Sequence, residues 1–259
     1  MELKCNPEVA IHLTKDSQQT QRTRLITEDG FSRFGYCLRC KSNKLTRTTA
    51  GTVAQDFYCP KCGQPYELKS AARAHTRIVQ DGGYASMMKT IRGENVPALV
   101  LMHYSPEWCV RGLVAIHPVF LTPAVVMKRP KPHIRKNGTL YQMCDLNLSL
   151  IPTDGKIALV SDGVVRTHAE TRRRFQESVR FEDVPLKTRG WTALVLSTVR
   201  QIGKKEFTLK DIYKFEDAMH KAFPRNSHIQ PKIRQQLQEL RDLGYIEFLG
   251  MRGEYRVLR

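Results

Sequence analysis

The sequence predicts a mixed α/β (α+β) chain in two parts: a sheet-containing domain over residues 1–185 and a winged-helix domain over 186–259. Three observations point there. Apolar runs at 97–104 and 110–117, each bounded by turn residues, read as buried strands set among helical segments. Two Cys-x-x-Cys pairs, Cys37/Cys40 and Cys59/Cys62, lie 18 residues apart. From about residue 186 the pattern becomes three helices followed by a two-stranded hairpin.

Taken in order, Leu25, Ile26, Phe31 and Phe34 recur among polar residues in 17–34 and predict a helix, with Ser17 as its N-cap. Residues 53–58 and 66–70 predict paired strands, and Tyr84–Arg92 a short helix. The segment 122–139 is rich in Pro, Lys and Arg without periodicity and predicts a basic loop. Lys156–Ser161, Asp162-Gly163 and 164–166 predict a hairpin, and 167–179 a charged helix carrying Arg172, Arg173 and Arg174 on a solvated face. After a boundary near 184–189, residues 191–202 read as a helix with Trp191 in its core. Thr208 N-caps a second helix over 209–223, with Asp211 in its first turn. Ile229, Ile233, Leu237, Leu240 and Leu243 mark one face of a third helix that Gly244 ends. The strands 245–249 and 254–258 form the wing.

Composition narrows the partners. The 259 residues hold 42 Lys+Arg against 25 Asp+Glu, a formal net charge of +17. Residues 186–259 alone hold 15 basic and 8 acidic side chains, so both parts are basic and favour a polyanion, with nucleic acid first. No apolar run of about 18 residues predicts a membrane span, and the first ten residues lack a signal-peptide core. Together with the Cys-x-x-Cys usage this predicts a reducing, cytoplasmic (bacterial) setting, with Cys5, Cys109 and Cys144 as plain thiols.

Four thiolates in two knuckles are the donor set of a structural zinc ion, so Cys37, Cys40, Cys59 and Cys62 are predicted to form a zinc ribbon over 37–62. The second knuckle is flanked by Asp56, Glu67 and Lys69, which have the D…ExK layout of a metal-dependent nuclease. Side chains alternate along a strand, so Glu67 and Lys69 share a face, and Asp56 lies across the knuckle. Asp56, Glu67 and the Leu68 carbonyl would hold Mg²⁺, and Lys69 would orient or deprotonate the attacking water, or offset charge in the transition state. Gln55 stands where the motif's name implies proline.

The run 53–70, together with Arg189-Gly190-Trp191-Thr192, Glu206-Phe207-Thr208-Leu209, His228-Ile229 and Ile233-Arg234-Gln235-Gln236-Leu237-Gln238, resembles the DpnI family of methyl-adenine-dependent (type IIM) restriction endonucleases. The resemblance covers nearly the whole chain. It implies a PD-(D/E)xK restriction-endonuclease core with an embedded zinc site and a C-terminal winged helix. It further implies Mg²⁺-dependent cleavage of double-stranded DNA at GATC carrying N6-methyladenine, with Asp56, Glu67 and Lys69 as the catalytic set. Around 129–143, where the resembled sequences carry a DNA-binding tryptophan, this chain offers Leu140-Tyr141. The third helix of a winged-helix domain enters the major groove, so Ser227, His228, Lys232, Arg234 and Gln235 are candidate DNA-reading residues. Tyr141 joins them, with wing residue Arg252 and with Lys204 and Lys205 as phosphate contacts. One chain carries one such site and is expected to be monomeric in solution. Two other readings stay open: a zinc-ribbon and winged-helix regulator without enzymatic activity, and a related GATC nuclease with a different methylation requirement.

Overall fold

The computed structural model describes residues 2–13, 18–49, 52, 54–75, 77–134, 137–251 and 253–258. Ser17, Val53 and Arg252, each singled out in the sequence, lie outside the described residues. Helix α1 (Gln19–Phe34) is followed by β1 (Thr46–Arg47), β2 (Phe57–Tyr58), β3 (Pro65–Ala71), β4 (Ile78–Gly83), α2 (Tyr84–Arg92), β5 (Ala98–Tyr104) and β6 (Val110–Ile116). Next come β7 (Val126–Lys128), β8 (His133–Ile134), β9 (Leu140–Tyr141), β10 (Met143–Asn147), β11 (Lys156–Ser161), β12 (Val164–Val165) and α3 (His168–Ser178). The C-terminal part holds α4 (Leu186–Ile202), β13 (Glu206–Thr208), α5 (Leu209–Tyr213), α6 (Glu216–Ala222), α7 (Ile229–Asp242), β14 (Ile246–Phe248) and β15 (Glu254–Val257).

A seven-stranded sheet, ordered β1-β2-β3-β5-β6-β11-β12, forms the centre. Its β3–β5 pair is parallel and the other pairs are antiparallel. Strand β5 reads Ala-Leu-Val-Leu-Met-His-Tyr and is buried on both faces, which is why its sequence is almost continuously apolar. Ala98, Val100 and Met102 pack into one core with Ile26 and Phe31 of α1 and Phe175 of α3. Leu99 and Leu101 point the other way, into a core with Met87, Met88 and Ile91 of α2 and residues 191–199 of α4. Period-two alternation thus sorts one strand between two helical layers.

Two expectations are corrected here. The segment 122–139 is not simply a loop: β7 joins β10 and β4 in a second, three-stranded sheet, and β8 pairs with β9 as a small hairpin. The predicted helix over 209–223 is broken into α5 and α6. Its start is as expected, since Thr208 and Asp211 form a reciprocal capping box.

Helix α4 is buried along Trp191–Val199 on every side, so it belongs to both parts of the chain. Pro185 precedes it as its N-cap residue. Arg200 grips Asp154 with two hydrogen bonds of 2.8 and 2.6 Å, and Arg180 donates to the Leu243 carbonyl at 2.8 Å. Phe181 meets Tyr245 edge-on at 5.3 Å between ring centres. The C-terminal part therefore shares one apolar core with the first part. Within it, β13 and β14 flank β15, and Gly203 and Gly244 take the left-handed φ values of 68° and 74° that end α4 and α7. Among the described residues no helix is long and apolar enough to cross a membrane.

Candidate functional site

Two cysteine knuckles meet at the edge of the candidate site. The Sγ atoms of Cys37, Cys40, Cys59 and Cys62 lie within 4.8 Å of one another. Cys37–Cys62 and Cys40–Cys59 are each 3.6 Å apart. A tetrahedron with Zn–S bonds of ~2.3 Å has edges of ~3.8 Å, so the four sulfurs fit a zinc ion. All seven cysteines are free of disulfides. Backbone N–H groups of Cys40 and Ser42 and the Tyr66 hydroxyl point at the sulfurs, as donors to thiolates do. Burial resists ionisation of Cys59, yet N–H groups of Cys62 and Lys61 and the neighbouring sulfurs bring its thiol down to about 7.

Helix α3 staples the first knuckle in place. Arg172 donates to the Cys37 carbonyl at 2.9 Å, to the Ser42 carbonyl at 2.8 Å and to Asn43 Oδ1 at 2.9 Å. This corrects the solvated role expected for Arg172. Arg173 and Arg174 do lie outward, beside Glu177 and Glu170.

The second knuckle is the turn between β2 and β3. Cys59 N–H donates to the Gln64 carbonyl, and Gly63 closes the turn at φ 75°. Phe57 pairs with Tyr66, and Asp56 N–H donates to the Tyr66 carbonyl at 2.9 Å. Asp56 therefore sits one residue before β2, directly across from β3. Its Oδ2 accepts the Leu68 N–H at 2.8 Å, and Oδ1 faces Arg24 of α1 at 3.3 Å. Glu67 and Lys69 lie side by side, with Lys69 Nζ 2.6 Å from Glu67 Oε1. Asp56, Glu67 and Lys69 all line a cleft of about 740 Å³. Gln19, Thr20, Thr23, Arg24, Thr27 and Glu28 of α1 and Ile78–Gln80 of β4 are among its other lining residues.

Burial pushes the Glu67 carboxyl up, Lys69 pulls it back, and Asp81 pushes it up again. Asp56 is likewise raised, first by burial, against the Leu68 N–H that favours its charged form. Burial works against the Lys69 ammonium, but Glu67 and Asp81 outweigh it and hold the group protonated well above the usual lysine range. Glu67 Oε2 and Asp81 Oδ2 are buried without a hydrogen-bond donor. Buried carboxylate oxygens left in this state suit a hard cation.

Three charged neighbours of this cleft escaped the sequence reading. Arg24 and Glu28 face it from α1, and their i, i+4 spacing was a signal for a surface pair. Asp81 lies on β4, where burial alternates along Ile-Val-Gln-Asp-Gly-Gly and turns Val79, Asp81 and Gly83 inward. An acid on the inward face of a short strand was the available clue.

The candidate DNA-reading residues divide by environment. Ser227, His228, Arg234 and Gln235 are exposed along the amino-terminal half of α7 and its entry, and Lys232 is half-buried there. Arg234 donates to the Tyr213 hydroxyl at 2.8 Å, and Lys232 to Gln235 at 2.8 Å. Tyr141 packs over Gly83, where an added Cβ would meet its hydroxyl at 2.2 Å. Lys204 is engaged with Asp211 at 3.0 Å.

A central mixed sheet bearing clustered acids and a lysine, a four-cysteine centre that could hold zinc, and a C-terminal helix-turn-helix module define a DNA-binding nuclease class. The chain belongs to the DpnI, or Dam-replacing, family. That family's model matches residues 1–183, and the model of the Dam-replacing HTH domain matches residues 187–257. Membership implies a methylation-dependent restriction endonuclease that binds DNA.

Proposed function

We propose that this chain is a Mg²⁺-dependent, type IIM endonuclease that cuts double-stranded DNA at GATC carrying N6-methyladenine. In this reading residues 1–185 perform the chemistry and 186–259 read the duplex. The observation that carries it is the cleft at the second knuckle, where Asp56 bonds the strand that presents Glu67 and Lys69. Asp56, Glu67 and the Leu68 carbonyl would hold Mg²⁺, which supplies the Lewis acid for the scissile phosphate and its attacking water. Lys69, kept as an ammonium by Glu67 and Asp81, faces the phosphate with its positive charge. It orients the water and offsets charge that develops on the phosphoryl oxygens. The products are a 5′-phosphate and a 3′-hydroxyl. The four cysteines hold structural Zn²⁺, since a closed thiolate shell leaves no position for substrate.

Helix α7 enters the major groove, with Ser227, His228 and Gln235 toward base edges and Lys232 toward phosphate. Arg234 suits the O6/N7 pair of guanine. Tyr141, Lys205 and Arg252 are further candidate contacts to the duplex. The chain acts as a monomer in solution with one such site, so a double-strand cut takes two nicks or a transient pair of molecules.

Digestion of GATC plasmid DNA in fully methylated, hemimethylated and unmethylated form tests the reading. Discrete fragments from methylated DNA alone are expected. Equal cutting of unmethylated DNA removes the methyl requirement, and intact DNA throughout returns the chain to the regulator reading.

The raised carboxyls add a pH prediction. Mg²⁺ needs Asp56 and Glu67 ionised, so protons compete with it. Burial lifts both groups, and cleavage should therefore fail on acidification at a pH above the ordinary carboxylate range. Raising Mg²⁺ should move that acid limb to lower pH. Rate profiles at two Mg²⁺ concentrations check this, and a limb that stays fixed contradicts it.

A further inference from the structure

We propose that Asp81 is a positioning residue for Lys69, reaching the candidate active site from the second sheet. The inference rests on the nuclease reading given above. Asp81 stands on β4, 12 residues after Lys69, and its side chain is 3% exposed. Its Oδ1 accepts from Lys69 Nζ at 2.7 Å and from the Gly82 N–H at 2.8 Å. The bond from Gly82 fixes the carboxylate to its own backbone, so Asp81 is a rigid acceptor. A carboxylate this buried is costly unless it is paired, and Lys69 is the cation that pairs it.

An ammonium has three N–H donors. Two of those on Lys69 are directed at Glu67 and Asp81, which leaves one for a phosphate oxygen or the attacking water. Glu67 is also a candidate metal ligand through its unpartnered Oε2, and a cation there would draw its charge away from Lys69. Asp81 is then the partner that keeps Lys69 in register when Glu67 turns to the metal.

The location adds a second line of support. Strand β4 is not part of the central sheet: it pairs with β10, which pairs with β7 on the far side. The β8–β9 hairpin lies between β7 and β10 in the chain. Tyr141 of that hairpin packs over Gly83, and the Cys144 thiol donates to the Gly82 carbonyl at 3.5 Å. Asp81 is thus flanked by residues that β9 and β10 hold, and it places Lys69 relative to those strands.

The test uses the full-length, zinc-loaded protein with Mg²⁺ and a methylated GATC duplex, comparing wild type, Asp81→Ala, Asp81→Asn and Lys69→Ala. Asparagine keeps an Oδ1 acceptor in the same place, whereas alanine removes it. Misplacing a reacting group by an ångström costs on the order of 10²-fold. Asp81→Ala should therefore lower kcat by at least about tenfold at unchanged KM, and Asp81→Asn should recover most of it. Wild-type kcat in Asp81→Ala overturns the proposal. So does equal impairment of both variants alongside a matching fall in melting temperature, which marks a role in folding alone. If Asp81→Ala does not fold, Asp81→Asn decides: near-normal kcat with unchanged KM supports the acceptor role, and a loss as deep as that of Lys69→Ala overturns it. A wild type that leaves the duplex intact, like Lys69→Ala, overturns the nuclease reading and this inference together. A cleaving wild type with an inert Lys69→Ala and a normal Asp81→Ala overturns this inference alone.

Discussion

Replacing Asp56 by asparagine is expected to reduce cleavage of the methylated duplex by roughly 10³-fold, about 4 kcal/mol of transition-state stabilisation, while binding of that duplex persists. Asparagine is the informative choice because Asp56 does two things. Its carboxylate is a candidate Mg²⁺ ligand, and its Oδ2 also accepts the Leu68 N–H. Alanine would leave that partly buried N–H without a partner, at a cost of ~1–3 kcal/mol, and would confuse folding with chemistry. Asparagine keeps the acceptor and removes the charge. Glu67→Gln should have the same effect on rate. Affinity should hold or tighten in both, because a negative charge facing the phosphates has gone. Gel-shift binding and single-turnover cleavage on the same samples separate the two quantities. Cleavage at the wild-type rate in Asp56→Asn would remove Asp56 from the metal site.

Loss of zinc should abolish cleavage as completely, by a different route. The second cysteine knuckle is the turn that joins β2 to β3, and Tyr66 ties the two sites together. Its hydroxyl donates to Cys37 Sγ and accepts the Leu38 N–H at 2.8 Å, while its carbonyl holds the N–H of Asp56. Tyr66 immediately precedes Glu67. Structural zinc in small domains contributes ~10 kcal/mol or more of apparent binding energy, and strand β2 has only two residues to resist its loss. Cys59→Ser, or treatment with a strong chelator, should release zinc, expose residues 37–62 to protease and end cleavage. Re-addition of Zn²⁺ should restore the chelated protein, and Mg²⁺ alone should not. Full activity in a zinc-free sample would detach the knuckle from the site. Arg172→Ala should give a milder version of the same defect, since α3 then no longer grips the carbonyls of Cys37 and Ser42.

What the sequence made legible follows from short-range rules. The Cys-x-x-Cys spacing announced the four-cysteine cluster, and strand alternation puts Glu67 and Lys69 on one face. The Thr208–Asp211 capping box and the apolar stripe on α7 marked the second part. What stayed hidden was decided by contacts between distant segments. Asp81 enters from another sheet, and nothing local to Gln80-Asp81-Gly82 names Lys69 as its partner. Arg172 looked like one of three surface arginines until α3 was laid against the first knuckle. The interior of α4 reads as an ordinary apolar helix, and only the fold shows it buried between two parts that share a core. The strands β4 and β7 are short and lie near Gly- or Pro-rich sequence, so periodicity alone did not announce them.

The most direct measurement is cleavage of a fully methylated GATC duplex by the zinc-loaded protein, with and without added Mg²⁺. The account predicts no product without Mg²⁺ and discrete 5′-phosphorylated fragments with it. A duplex that stays intact at every Mg²⁺ concentration, while the protein is shown to bind it, would contradict the account.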